Sequence, residues 1–161
     1  MFEKLAARAS EHLIRHAKTE AVGWYWPTAS SVRGGFTGFA HGAAGIAAAL
    51  QRVADLTGQA RFAQAAEAAI GWEDAQRDPH TLDWPDYRML VSGHASKGGP
   101  VVAWCHGAAG IGLARALSSQ SDTAAIRHAR SGIGYGLLRS IAPHTTPDVL
   151  ALELADSAAR E

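Results

Sequence analysis

The sequence predicts an all-α fold built from helical hairpins, and three observations carry the prediction. Apolar residues recur at steps of three or four in successive segments, the signature of helices with one buried face. No segment alternates apolar and polar residues convincingly, so strands are not expected. The string His-Gly-Ala-Ala-Gly-Ile occurs twice, beginning at His41 and at His106, and each copy runs into a helical segment. Two like turns in like places imply successive hairpins in a closed or solenoidal array.

Residues 2–18 read as an amphipathic helix, with Phe2, Leu5, Ala6, Ala9, Leu13 and Ala17 on one stripe. Residues 19–37 read as a loop holding Trp24, Trp26, Pro27 and Gly34-Gly35. A second helix runs from about Ala43 to Leu56, with Thr57-Gly58 as its stop. A third runs from about Ala60 to Gln76, with Phe62, Ala66, Ala69, Ile70 and Glu73 along it. Residues 78–103 form the longest irregular stretch, of a length that in compact domains marks function or disorder. A fourth helix spans about Ala108 to Ser118, and Asp122 caps a fifth to about Ile141. Pro147 fits the first turn of a last helix to about Ala159.

Length and charge bound the function. The 161 residues suit one domain, and 47% hydrophobic residues can fill a core. Fifteen basic residues balance fifteen acidic ones, which leaves no electrostatic footprint for nucleic acid or an anionic membrane. No apolar run approaches the ~18 residues of a spanning helix. The first residues lack the order of a secretion signal, and the single cysteine excludes an internal disulfide. A cytoplasmic, soluble domain is expected.

The candidate chemistry lies at the two turns. Gly42 and Gly45 in the first copy, and Gly107 and Gly110 in the second, allow a tight bend and close helix approach. Cys105 stands just before the second turn, near a helix N-terminus, where the dipole favours a thiolate and hence metal ligation. Read alone, a lone cysteine is more often a small buried apolar residue than a ligand.

Taken together the residues resemble the lanthionine synthetase C-like family. Gly38-Phe39-Ala40-His41-Gly42-Ala43-Ala44-Gly45-Ile46 is similar to its Gly-x-x-His-Gly-x-x-Gly-Ile motif. Ala103 to Arg115 resembles its Trp-Cys-x-Gly-x-x-Gly-Ile segment, in the form found in class II lanthipeptide synthetases. Trp84-Pro85-Asp86-Tyr87-Arg88 resembles the Trp-Pro-Asp-x-Arg stretch between them. The motif-bearing part is 36–115 of a single partial cyclase domain over 1–161.

The resemblance implies a partial α/α toroid, with inner helices ringed by outer ones. It implies zinc as cofactor, Cys105 as a zinc ligand, and His41 as the acid/base histidine. His106 follows the ligand cysteine and is not the family's histidine ligand, but it is a secondary candidate donor that could improvise a site with Cys105 and His41. Asp86 with Arg88 is expected as a structural ion pair. The implied partner is a precursor peptide whose Ser or Thr residues have been dehydrated. A cysteine thiolate of that peptide adds to dehydroalanine or dehydrobutyrine and closes a thioether ring.

The sequence departs from the family in one respect. The later Cys-His-Gly motif is missing, so two of the three family ligands have no counterpart. The chain therefore reads as truncated or diverted after about residue 140, with zinc weak or absent. Uncovered helix faces are expected to favour self-association. Activity stays open between a cyclase and a non-catalytic peptide-binding or scaffold remnant. A carbohydrate-active toroid ranks third, because it wants paired carboxylates, and only Asp83, Asp86, Glu73 and Asp74 lie near the motifs.

Overall fold

Alanine is the commonest residue on the helix faces that meet, and its small side chain lets the helices of this chain approach closely. In the computed structural model, residues 2–28, 34–80, 84–87 and 103–118 are described. They form helices α1 (Phe2–His16), α2 (Ala43–Thr57), α3 (Ala60–Ala75) and α4 (Ala108–Ser118), with strands β1 (Lys18–Glu20) and β2 (Gly23–Tyr25). The all-α class and its hairpin arrangement hold. The expected helices after residue 118, and most of the irregular stretch before residue 103, lie outside the described residues.

Two adjacent faces of α2 organise the core. Ala43, Ala47, Leu50 and Val53 pack on Phe62, Ala65, Ala66, Ala69 and Trp72 of α3. Ala44 and Ala48, one position round, pack on Ala108, Ile111 and Ala114 of α4 and on the Trp84 indole. A period of 3.6 residues makes this possible, since each pair four apart forms its own stripe. Helices α2 and α3 form a hairpin through Gly58, whose N–H returns to Ala54 O at 2.8 Å and closes α2. With α2 and α4 side by side and α3 behind α2, the arrangement is that of an α/α toroid segment.

The first helix matches the expectation only in part. Ala6, Ala7 and Ile14 pack against the core, and Trp26 Nε1 donates to Leu13 O at 2.7 Å. Phe2 and Leu5, on the predicted apolar stripe, are 81% and 63% exposed. The covered face runs through Ala6, Ala7, Ser10, Leu13 and Ile14, and Ala9 of the predicted stripe is exposed as well.

One expectation is overturned. Residues 19–25, read as loop, together with Lys18, read as the end of the first helix, form a two-stranded antiparallel ladder in which Lys18 pairs with Tyr25, Thr19 with Trp24 and Glu20 with Gly23. Strands of three residues are too short to display an alternating pattern. What fixes the hairpin is tertiary. Gly23 lies so close to α3 that a Cβ there would collide with the Ala68 carbonyl and the Trp72 amide. The Tyr25 ring stacks on Trp72, with centroids 5.1 Å apart.

The repeat is visible in the packing of its glycines. A methyl group at Gly45 would run into the Phe39 carbonyl oxygen, and one at Gly110 into the Trp104 carbonyl oxygen. Phe39 and Trp104 occupy the same place in the two copies, so one backbone approach is built twice. Gly45→Ala and Gly110→Ala should each destabilise by about 1–3 kcal/mol, as overpacking does. Chemical denaturation checks this: either variant unfolding at the wild-type midpoint would show that the turns do not approach so closely.

Candidate functional site

The two repeated turns face each other. Ahead of α2, Ala43 N–H donates to Phe36 O at 2.9 Å, which folds residues 36–43 into a compact loop. Ahead of α4, Ala103 and His106 exchange two backbone hydrogen bonds of 3.0 and 3.1 Å, with Trp104 and Cys105 at the tip between them. The loops are joined by Ala40 N–H donating to Cys105 O at 3.2 Å. Gly38, at φ +100°, sits against the second loop, where a Cβ would lie 3.0 Å from Cys105 O and 3.1 Å from His106 Cα. A side chain at this position would be strained and would push the loops apart.

Equivalent residues of the repeat thereby become neighbours. The His41 and His106 rings lie 6.2 Å apart between centroids, at 18° between planes. Those of Phe39 and Trp104 lie 6.5 Å apart, at 60°. His41 is exposed, while Cys105 and His106 are half-buried. The turns are alike but not identical, since Gly107 has φ +73° and Gly42, the N-cap of α2, has φ −119°.

The third motif closes the other side. Thr37 Oγ1 donates to Pro85 O at 3.1 Å, and Trp84 Nε1 donates to Glu73 O at 2.9 Å. Between this segment and the turns is a small pocket of about 10 Å³, room for roughly one water, lined by Phe36, Thr37, Pro85, Asp86, Tyr87, His106 and Gly107. All three motifs thus meet at one place. Arg88, the expected partner of Asp86, lies outside the described residues.

Beneath the turns lies a residue that the sequence reading did not place in the site. Glu73 is fully buried. Its Oε1 accepts the Gly38 N–H at 2.9 Å, and its Oε2 accepts from the Arg115 guanidinium at 3.1 Å. Arg115 also reaches Asp74 Oδ1 at 3.0 Å. Burial raises the Glu73 carboxyl from 4.5 to about 7, against the opposing pull of Arg115 and the Gly38 and Ala44 amides. The signal for it was a charged residue on the apolar stripe of α3. A carboxylate engaged with Arg115 inside the core is no partner in a glycosidase pair, so Glu73 drops out of the four carboxylates named for the hydrolase reading.

Cys105 and His106 are donors of the kind zinc takes, a thiolate and an imidazole. Among the described residues, however, no group of three or more His, Cys, Asp or Glu side chains is placed to hold one metal ion. The described donors therefore suit zinc in kind and fall short in number.

A family model described as lanthionine synthetase C-like protein matches residues 3–130. The chain belongs to that family, which implies a lanthionine cyclase-type function and peptide substrates. Comparisons with curated proteins and with solved structures return no match. No helix among the described residues is long and apolar enough to cross a membrane.

The raised Glu73 carboxyl has a consequence for stability. The native state binds its proton more tightly than the unfolded chain, so this group's contribution falls as pH rises from 4.5 to about 7 and then levels. Relative to Glu73→Gln, wild-type stability should decline across that window by about 3 kcal/mol at most. Urea unfolding of both proteins at several pH values measures the difference, and a flat or rising one would contradict the assignment.

Proposed function

We propose that this chain acts as a lanthionine cyclase-type module on a dehydrated peptide, with Cys105 as a zinc ligand and His41 as the proton-transfer group. The observation that carries the reading is the meeting of the two turns, which brings His41 beside His106 and next to the Cys105 loop within the stretch that matches the family.

The reaction needs little from the protein beyond placement and protons. A peptide cysteine loses its S–H proton, and its sulfur bonds to the β-carbon of dehydroalanine or dehydrobutyrine. The double-bond pair moves toward the adjacent carbonyl, and the α-carbon then takes a proton. Zinc would supply acidification of the substrate thiol. His41, exposed and beside His106, would move a proton to or from substrate, a task that suits an imidazole. His106 and Asp86 line the small pocket beside the turns and would offer polar contacts to a peptide lying across its opening. The exposed Trp104 and half-buried Phe39 offer an aromatic surface beside it.

A second reading rests on the donor count. With fewer than three ligands among the described residues, the same surface would serve a non-catalytic peptide-binding module. Two experiments separate the readings. Zinc content by mass spectrometry should drop in Cys105→Ala relative to wild type, and equal content removes Cys105 as a ligand. A test peptide carrying one cysteine and one dehydroalanine should lose its free thiol in the presence of the protein. That rate should fall about 10²- to 10⁴-fold in His41→Ala, as for loss of a general acid–base group. Binding of the peptide without thiol loss in the wild type would favour the binding module.

A further inference from the structure

We propose that Glu73 is a positioning residue for the site, holding the His41 turn and the Cys105 turn in register from beneath. The proposal rests on the reading that these two turns form the site, and it adds a residue that belongs to none of the three motifs.

The geometry runs through two contacts. On one side Glu73 Oε1 takes the Gly38 N–H at 2.9 Å. Gly38 is the residue of the first turn that seats against Cys105 O and His106 Cα, and two residues later Ala40 N–H donates to Cys105 O. On the other side Glu73 Oε2 takes the Arg115 guanidinium. Arg115 is on α4, the helix that the Cys105 turn leads into, and its side chain is 8% exposed. One carboxyl on α3 thus grips the loop that carries His41 and the helix behind Cys105. The Trp84 indole adds the third motif, through the Glu73 main-chain carbonyl.

An apolar residue at this position would fill the space but leave the Gly38 amide and the Arg115 guanidinium without this acceptor. Unmatched buried donors carry the full cost of desolvation. The turn would then shift to recover a partner, and the Cys105 loop would shift with it. A glutamine keeps an oxygen for the Gly38 N–H, but its NH2 then faces the Arg115 guanidinium, donor against donor, so one of the two contacts is lost. Two acceptor oxygens at this point, one for the loop and one for α4, hold the register.

Cys105 reports on this directly, because it is the chain's single cysteine. The readout is the rate at which the disulfide reagent 5,5′-dithiobis(2-nitrobenzoate) labels the thiol, with no zinc and no peptide present. It therefore remains informative if cyclisation or zinc binding fails. Glu73→Ala should label at least about threefold faster than wild type, through easier local opening. Glu73→Gln, which keeps one of the two contacts, should label at a rate between those of wild type and Glu73→Ala. Leu50→Ala, in the separate α2–α3 cluster, serves as a control for general loss of stability and should leave the rate at the wild-type value in native buffer. An unchanged rate in Glu73→Ala, or an equal rise in Leu50→Ala, overturns the proposal. If Glu73→Ala does not fold, amide exchange of the wild type decides. Gly38 and Ala40 should be protected and open together, and an unprotected Gly38 amide overturns it.

Discussion

The site depends on one buried carboxyl. Glu73 sits where α2, α3 and α4 meet, shielded from water, with Gly38, Arg115 and Trp84 each bonded to its side chain or its main chain. Enclosing a carboxylate is unfavourable, and the upward shift of its proton affinity is the expression of that. An apolar replacement of the Glu73–Arg115 pair as a whole would often be no less stable. It would not, however, specify where the Gly38 loop lies relative to α4. The same hydrogen bonds that offset the burial fix the position of the turns above them.

Around that point the repeat works through small residues. Ala44 and Ala48 face Ala108, Ile111 and Ala114 across the α2–α4 contact, and Gly45 and Gly110 admit the Phe39 and Trp104 carbonyls at the helix starts. The two copies therefore meet face to face rather than standing apart in tandem. Each supplies one aromatic ring and one imidazole, and the rings meet their counterparts. The second copy alone adds a thiol, at the tip of a loop closed by two backbone hydrogen bonds.

Much of this was legible in the residue order. The helices from Ala43, Ala60 and Ala108 start where the periodicity and glycine turns place them, because those segments bury continuous apolar stripes. The family is legible for the same reason: its motifs are the turns, and turns have strict residue requirements. The Lys18–Tyr25 hairpin was not legible, since its strands are held by α3 rather than by their own pattern. The exposure of Phe2 and Leu5 was equally hidden, because periodicity shows that a face is apolar and not whether anything covers it. Glu73 left a trace as a charge on an apolar stripe, but its partners Gly38 and Arg115 are distant in sequence. Only the fold brings the three together.

The central claim is that Glu73 and Arg115 are energetically coupled beneath the turns. A double-mutant cycle with Glu73→Gln and Arg115→Gln, measured by urea unfolding at pH 8 where the carboxyl carries its charge, addresses it most directly. The structure calls for a coupling of about 1–3 kcal/mol, as for contacting groups in one buried network. Additive effects, within about 0.3 kcal/mol, would mean that the two side chains do not act on each other and that the turns are held by something else.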